Sequence, residues 1–263
     1  MTDVRRAAER YPGGDLQAGI TTRHAFSFGS HYDPDNLRFG AVIACNEERL
    51  APGAGFDEHP HSHTEIITWV VEGELTHRDS AGHTSVVRPG DVQRLSAATG
   101  VHHVERNDGP TPLTFVQMWL APLNPGGEPR YEVVRGIADS TPYAVPEAGA
   151  VLHVRRLAPA QRTAVPDAAQ VYIHVVRGDL RLHPTDHPAP GGIPHDPPHD
   201  GESDTSHGGE SDTSRIGESD TPGPDTHLAP GDAARLTDPK GLELTATSAA
   251  EILLWEMSPR PPR

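Results

Sequence analysis

Two short stretches of this chain carry side chains of a kind that bind metal. The first runs His59-Pro60-His61-Ser62-His63-Thr64-Glu65, and the second runs Gly100-Val101-His102-His103-Val104-Glu105. On an extended strand successive side chains point to opposite faces, so His59 and His61 share a face, and so do His103 and Glu105. If the two strands meet across the inside of a small barrel, three imidazoles and one carboxylate converge. That donor set suits a divalent transition metal such as iron, copper, nickel or zinc. Parity leaves a choice within the first stretch. His63 and Glu65 are in phase with His59 and His61, so a pair His61/His63, or a set that includes Glu65, satisfies the same rule. His102 is out of phase with His103 and is expected behind the ligands or at the surface. His31, His77 and His83 read as ordinary loop or strand-end residues.

The elements between the two stretches must bring them together. Glu65 to Glu72 is rich in β-branched residues and breaks at Gly73, as a strand entering a tight turn does. Turn signals at Asp79-Ser80-Ala81-Gly82 and Arg88-Pro89-Gly90-Asp91 bracket a strand at Thr84 to Val87. Short strands at regular turn spacing predict a small antiparallel barrel. Beyond Asn107, Leu113 to Leu120 reads as a further barrel strand with Phe115, Gln117 and Trp119 on one face.

His-x-His-x3-Glu-x7-Gly, then Pro-Gly-Asp, then Gly-Val-His-His-Val-Glu, resembles the metal-binding half of the pirin family of bicupins. Phe26-Ser27-Phe28-Gly29 and Tyr32-Asp33-Pro34-Asp35-Asn36 resemble that family's N-terminal signature. The resemblance covers most of residues 20–135. It implies an all-β bicupin, two antiparallel jelly-roll barrels packed together, and it favours His59, His61, His103 and Glu105 as the metal ligands, leaving His63 and Glu65 outside the set. It also implies an N-terminal metal-binding domain over 1–140 and a C-terminal cupin domain over 141–263 without metal ligands.

The second half repeats the strand pattern. Gly178-Asp179-Leu180 and Pro230-Gly231-Asp232 echo Gly73-Glu74-Leu75 and Pro89-Gly90-Asp91, while His174 stands alone in its predicted strand. Residues 184–227 depart from the family pattern. They are rich in Pro and Gly and repeat Gly-Glu-Ser-Asp-Thr from Gly201, Gly209 and Gly217. With almost no large apolar side chain, this insert is expected to be a disordered loop. It holds ten Asp or Glu against one basic residue, Arg215, so nine of the fifteen net negative charges sit there. Residues 1–20 read as a loose arm with at most one helical turn.

Neither part of the chain carries a basic stripe, which argues against binding nucleic acid or an anionic membrane. One cysteine, Cys45, excludes an intramolecular disulfide and a Cys-rich metal site, and its apolar neighbours predict a buried strand residue. The N-terminal residues lack a signal-peptide core and no run reaches transmembrane length, so a cytoplasmic monomer is expected. The resemblance implies a metal-dependent dioxygenase of the quercetin 2,3-dioxygenase type, acting on a flavonol-like aromatic substrate with O2 and releasing carbon monoxide. Fe(II) is the expected metal, with Cu, Ni, Co, Mn or Zn as alternatives, and Glu105 is the expected general base. The other reading is a non-enzymatic iron-binding regulator that reports metal or redox state to a protein partner.

Overall fold

The computed structural model describes residues 1–185 and 225–259. Among them regular structure is almost entirely antiparallel strand, with only two 3-10 turns, Ala7–Glu9 and Pro146–Ala148. The first half is a jelly-roll sandwich of two sheets. A seven-stranded sheet runs in the order Arg130–Val134, Val92–Ser96, Glu65–Glu72, Leu113–Leu120, Val42–Leu50, Ile20–His24, Tyr11–Gly13. A four-stranded sheet opposes it in the order Gly55–His61, Val101–Arg106, Leu75–Asp79, Thr84–Val87. The second half repeats the plan with a six-stranded and a four-stranded sheet.

The two large sheets pack back to back. Phe26, Trp69, Met118, Tyr172 and Trp255 fill the seam between the halves, and the Trp255 Nε1–H points at Met118 Sδ across it at 3.1 Å. The interior of the second half is one aliphatic cluster that includes Leu180, Leu182, Leu244 and Ile252. The interior of the first half is split. One cluster gathers Leu50, Leu75, Leu113 and Phe115, another gathers Ile66, Leu95, Ala97 and Val101, and Thr22, His24, Asn46, Glu48, Glu105 and Gln117 are buried polar side chains of the same half.

The arm expected over the first residues is ordered. Thr2–Arg5 pairs with Ala233–Thr237 at the edge of the second half's large sheet. Asp232 secures it, accepting from Arg6 Nη1 at 2.7 Å and from the Ala7 backbone N–H at 2.8 Å. Local periodicity could not reveal this, because the partner strand lies over two hundred residues away. The same device recurs at Asp91, which accepts from Arg135 Nη1 and from the Gly136 N–H. The repeated Pro-Gly-Asp turn thus uses its carboxylate twice, each time to tie in a distant Arg-containing segment. The insert expected at 184–227 lies mostly outside the described residues. Its flanks form a paired stem, Leu180–Pro184 against Thr226–Leu228.

Candidate metal centre and cavity

The site is built on the four-stranded sheet. Val101–Arg106 is flanked by Gly55–His61 on one side and by Leu75–Asp79 on the other. His103 lies directly opposite His59 across the first pairing, and a register shift follows between His103 and Glu105. Across the second pairing Glu105 lies opposite His77. Gly55–His61 is an edge strand, which is where Pro60, lacking an N–H, costs the sheet least.

His59, His61 and His103 place ring nitrogens within 4.8 Å of one another. His59 Nδ1 lies 2.7 Å from the Asp57 carbonyl oxygen, so this nitrogen carries a hydrogen and Nε2 faces the neighbouring rings. That Nε2 sits 3.0 Å from Nε2 of His103. His61 Nε2 and His103 Nδ1 are buried without a hydrogen-bond partner in the described residues. Burial, reinforced by the neighbouring imidazoles, holds His61 and His103 down at about 3, so at neutral pH both rings are neutral bases. Partnerless buried nitrogens and two ring nitrogens 3.0 Å apart fit a single cation held between the rings.

Glu105 is fully buried. Gln117 Nε2 donates to its Oε2 at 2.7 Å, and Gln93 Nε2 approaches Oε1 at 3.4 Å. Burial raises its pKa, and Gln117 partly offsets that. The amide of Gln117 is oriented in turn by the Trp119 indole N–H, which donates to its Oε1 at 3.0 Å.

The strand Gly55–His61 ends before His63, which is exposed with φ of 57°. Strand parity therefore no longer applies at His63, and its ring stands outside the cluster. Glu65 is buried but spent elsewhere, accepting from Ser96 Oγ at 2.7 Å and from Arg94 Nε at 2.9 Å. His102 is exposed. The expectation for His77 needs correction: it is fully buried, its ring stacks on Tyr131 at 4.4 Å, and Nε2 faces Asp79 at 3.3 Å. It forms a second donor group with His103 and Glu105. Alternation gave the missing signal, since Leu75 is a core residue and His77 shares its face.

A cavity of about 430 Å³ opens onto His59, His61 and Glu105, within the ~300–1,000 Å³ usual for small-molecule sites. Phe28, Phe56 and Trp119 form aromatic walls. Phe28 stacks on His24 and meets Trp119 edge-on at 5.1 Å, and Trp119 meets His61 edge-on at 4.9 Å. Glu48 also lines the cavity. Burial pushes its carboxyl up to about 8.

Known proteins match this chain over its length. The model of the pirin family matches residues 3–120. A Mycobacterium tuberculosis protein named "Putative quercetin 2,3-dioxygenase Rv0181c" is 36% identical over 97% of this chain and 94% of its own length. The quercetin 2,3-dioxygenase of Escherichia coli K12 is 39% identical over 50% of this chain and 57% of its own length. The crystal structure of the E. coli bacterial pirin YhhW in complex with nickel(II) superposes with a TM-score of 0.74 at 26% identity, covering 98% of this chain and 100% of the other.

Proposed function

Because the chain belongs to the pirin family, we propose that it holds one divalent transition metal, Fe(II) in the cell, on His59, His61, His103 and Glu105, and that it cleaves flavonol-like substrates with O2. The observation that carries this reading is the cluster of His59, His61 and His103, with Glu105 buried beside His103 in an adjoining donor group, at an aromatic-walled cavity lined by His59, His61 and Glu105. When bound, the metal supplies a Lewis acid for the substrate oxyanion and a redox centre for dioxygen.

The protein residues supply the rest. Phe28, Phe56 and Trp119 hold a planar ring system and exclude water. The 3-hydroxyl of a flavonol, beside its 4-carbonyl, must lose its proton before the electron-rich ring reacts with O2. Glu105 accepts that proton, because its burial makes the carboxylate a stronger base than an exposed one. Gln117 fixes the accepting carboxylate. Both atoms of O2 enter the product, and the ring opens with loss of carbon monoxide.

Reconstituted protein is tested for flavonol-dependent oxygen uptake and carbon monoxide release. Glu105→Gln is expected to keep substantial metal and lose turnover, whereas His59→Ala, His61→Ala and His103→Ala lose both while remaining folded. Absence of substrate-dependent uptake by the wild type with Fe, Cu, Ni, Co and Mn would reject the dioxygenase in favour of a metal-binding regulator.

A further inference from the structure

The seven-stranded sheet turns an unusual face to the cavity. Ile20–His24 and Val42–Leu50 pair Thr22 with Glu48 and His24 with Asn46, and Leu113–Leu120 continues the two rows with Phe115 and Gln117. Thr22, His24, Asn46 and Glu48 are all at least nine-tenths buried and line the same cavity as His59 and His61. In the row of His24, Asn46 and Gln117 the side chains have polar partners: His24 Nδ1 meets Asn46 Oδ1 at 3.0 Å, and Gln117 donates to the Glu105 carboxylate. Glu48 is different. Its one side-chain hydrogen bond among the described residues comes from the Thr22 hydroxyl, and no Arg, Lys or His there forms an ion pair with it.

A buried carboxyl without a basic partner costs free energy that aliphatic packing would avoid. The equivalent interior of the second half is in fact aliphatic. Glu48 also falls outside both clusters of candidate metal donors. Its position in the cavity wall beside aromatic side chains suits contact with a ligand.

Building on the flavonol reading above, we propose that Glu48, braced by Thr22, is a specificity-determining residue that reads a hydroxyl on an outer ring of the substrate, away from the hydroxyl taken by the metal centre. The ligand class is a planar polyphenol with at least two separated hydroxyls. Burial raises the Glu48 carboxyl to about 8, and in its neutral form it donates to one hydroxyl and accepts from another.

The test compares quercetin, hydroxylated on both outer rings, with 3-hydroxyflavone, which carries only the hydroxyl beside the carbonyl. Both are measured for binding and KM on metal-loaded wild type, Glu48→Leu and Glu48→Gln, with metal content assayed in each. The wild type is expected to prefer quercetin by about tenfold, the factor one buried hydrogen bond supplies. Glu48→Leu should collapse that preference to near unity at unchanged metal content. Glu48→Gln, nearly isosteric and still able to hydrogen-bond, should retain part of it and serves as the folded comparison if the leucine variant is unstable. Equal affinity of the wild type for the two ligands overturns the assignment and leaves the flavonol reading intact. The assignment also falls if the preference survives in Glu48→Leu, or if metal is lost from both variants. Failure of both flavonols to bind the wild type removes both readings together.

Discussion

Replacing Gln117 with Leu removes the shortest contact to the candidate carboxylate ligand without touching a donor atom. Gln117 Nε2 lies 2.7 Å from Glu105 Oε2 in a fully buried setting, the geometry of a charge-assisted bond. Such bonds contribute about 1.5–3 kcal/mol net. Gln117 favours the ionised form of Glu105, and metal binding requires that form. The loss therefore falls on metal affinity, and at about 1.4 kcal/mol per decade it amounts to roughly ten- to a hundredfold. Trp119→Phe provides the graded comparison. It removes only the indole N–H that orients the Gln117 amide, a neutral bond of about 1 kcal/mol, so its effect should be about fivefold. Competition with a fluorescent chelator for Ni(II) or Zn(II) measures both, with melting temperature as the check on folding. If Gln117→Leu is folded and binds metal within threefold of the wild type, Glu105 is not held as an ionised ligand by this contact, and the reasoning from Gln117 to metal affinity is refuted.

Other consequences concern stability. Burial raises the Asp232 carboxyl, but the Ala7 N–H, Arg6 and the Ala229 N–H outweigh it, so its folded pKa lies below the ordinary 3.8. A depressed acid stabilises fully above its unfolded pKa and loses that contribution as pH falls through the folded value. Asp232→Asn should therefore destabilise by about 1.5–3 kcal/mol at pH 7 and converge with the wild type at the lowest pH values, as read by denaturant titration across pH 2–7; a constant gap across that range refutes the assignment. Trp255→Ala empties the seam between the halves and should cost about 3–5 kcal/mol, measured by urea unfolding. Replacing residues 186–224 with a short turn should move the melting temperature by less than about 4 °C, because the stem strands Leu180–Pro184 and Thr226–Leu228 already pair and loop closure depends weakly on length.

The sequence alone determined the kind of chemistry and the ground plan. Strand parity is a local property, so His59 with His61, and His103 with Glu105, could be read as pairs before any fold was known. The turn dipeptides marked where strands end, and the burial of Cys45 followed from its apolar neighbours. Tertiary structure decided or explained three matters. Parity holds only while the strand lasts, and Gly55–His61 stops before His63, which gives a physical reason for the separation of His61 from His63 that strand parity left open and the family resemblance favoured. His77 reads as a strand-end histidine until Leu75–Asp79 pairs beside Val101–Arg106 and sets it opposite Glu105. Thr2–Arg5 has no strong pattern of its own, and it is ordered because Ala233–Thr237 offers a free edge and Asp232 binds the segment that follows. In the last two cases the deciding contact joins residues far apart in the chain, where the energy of pairing and burial outweighs local preference.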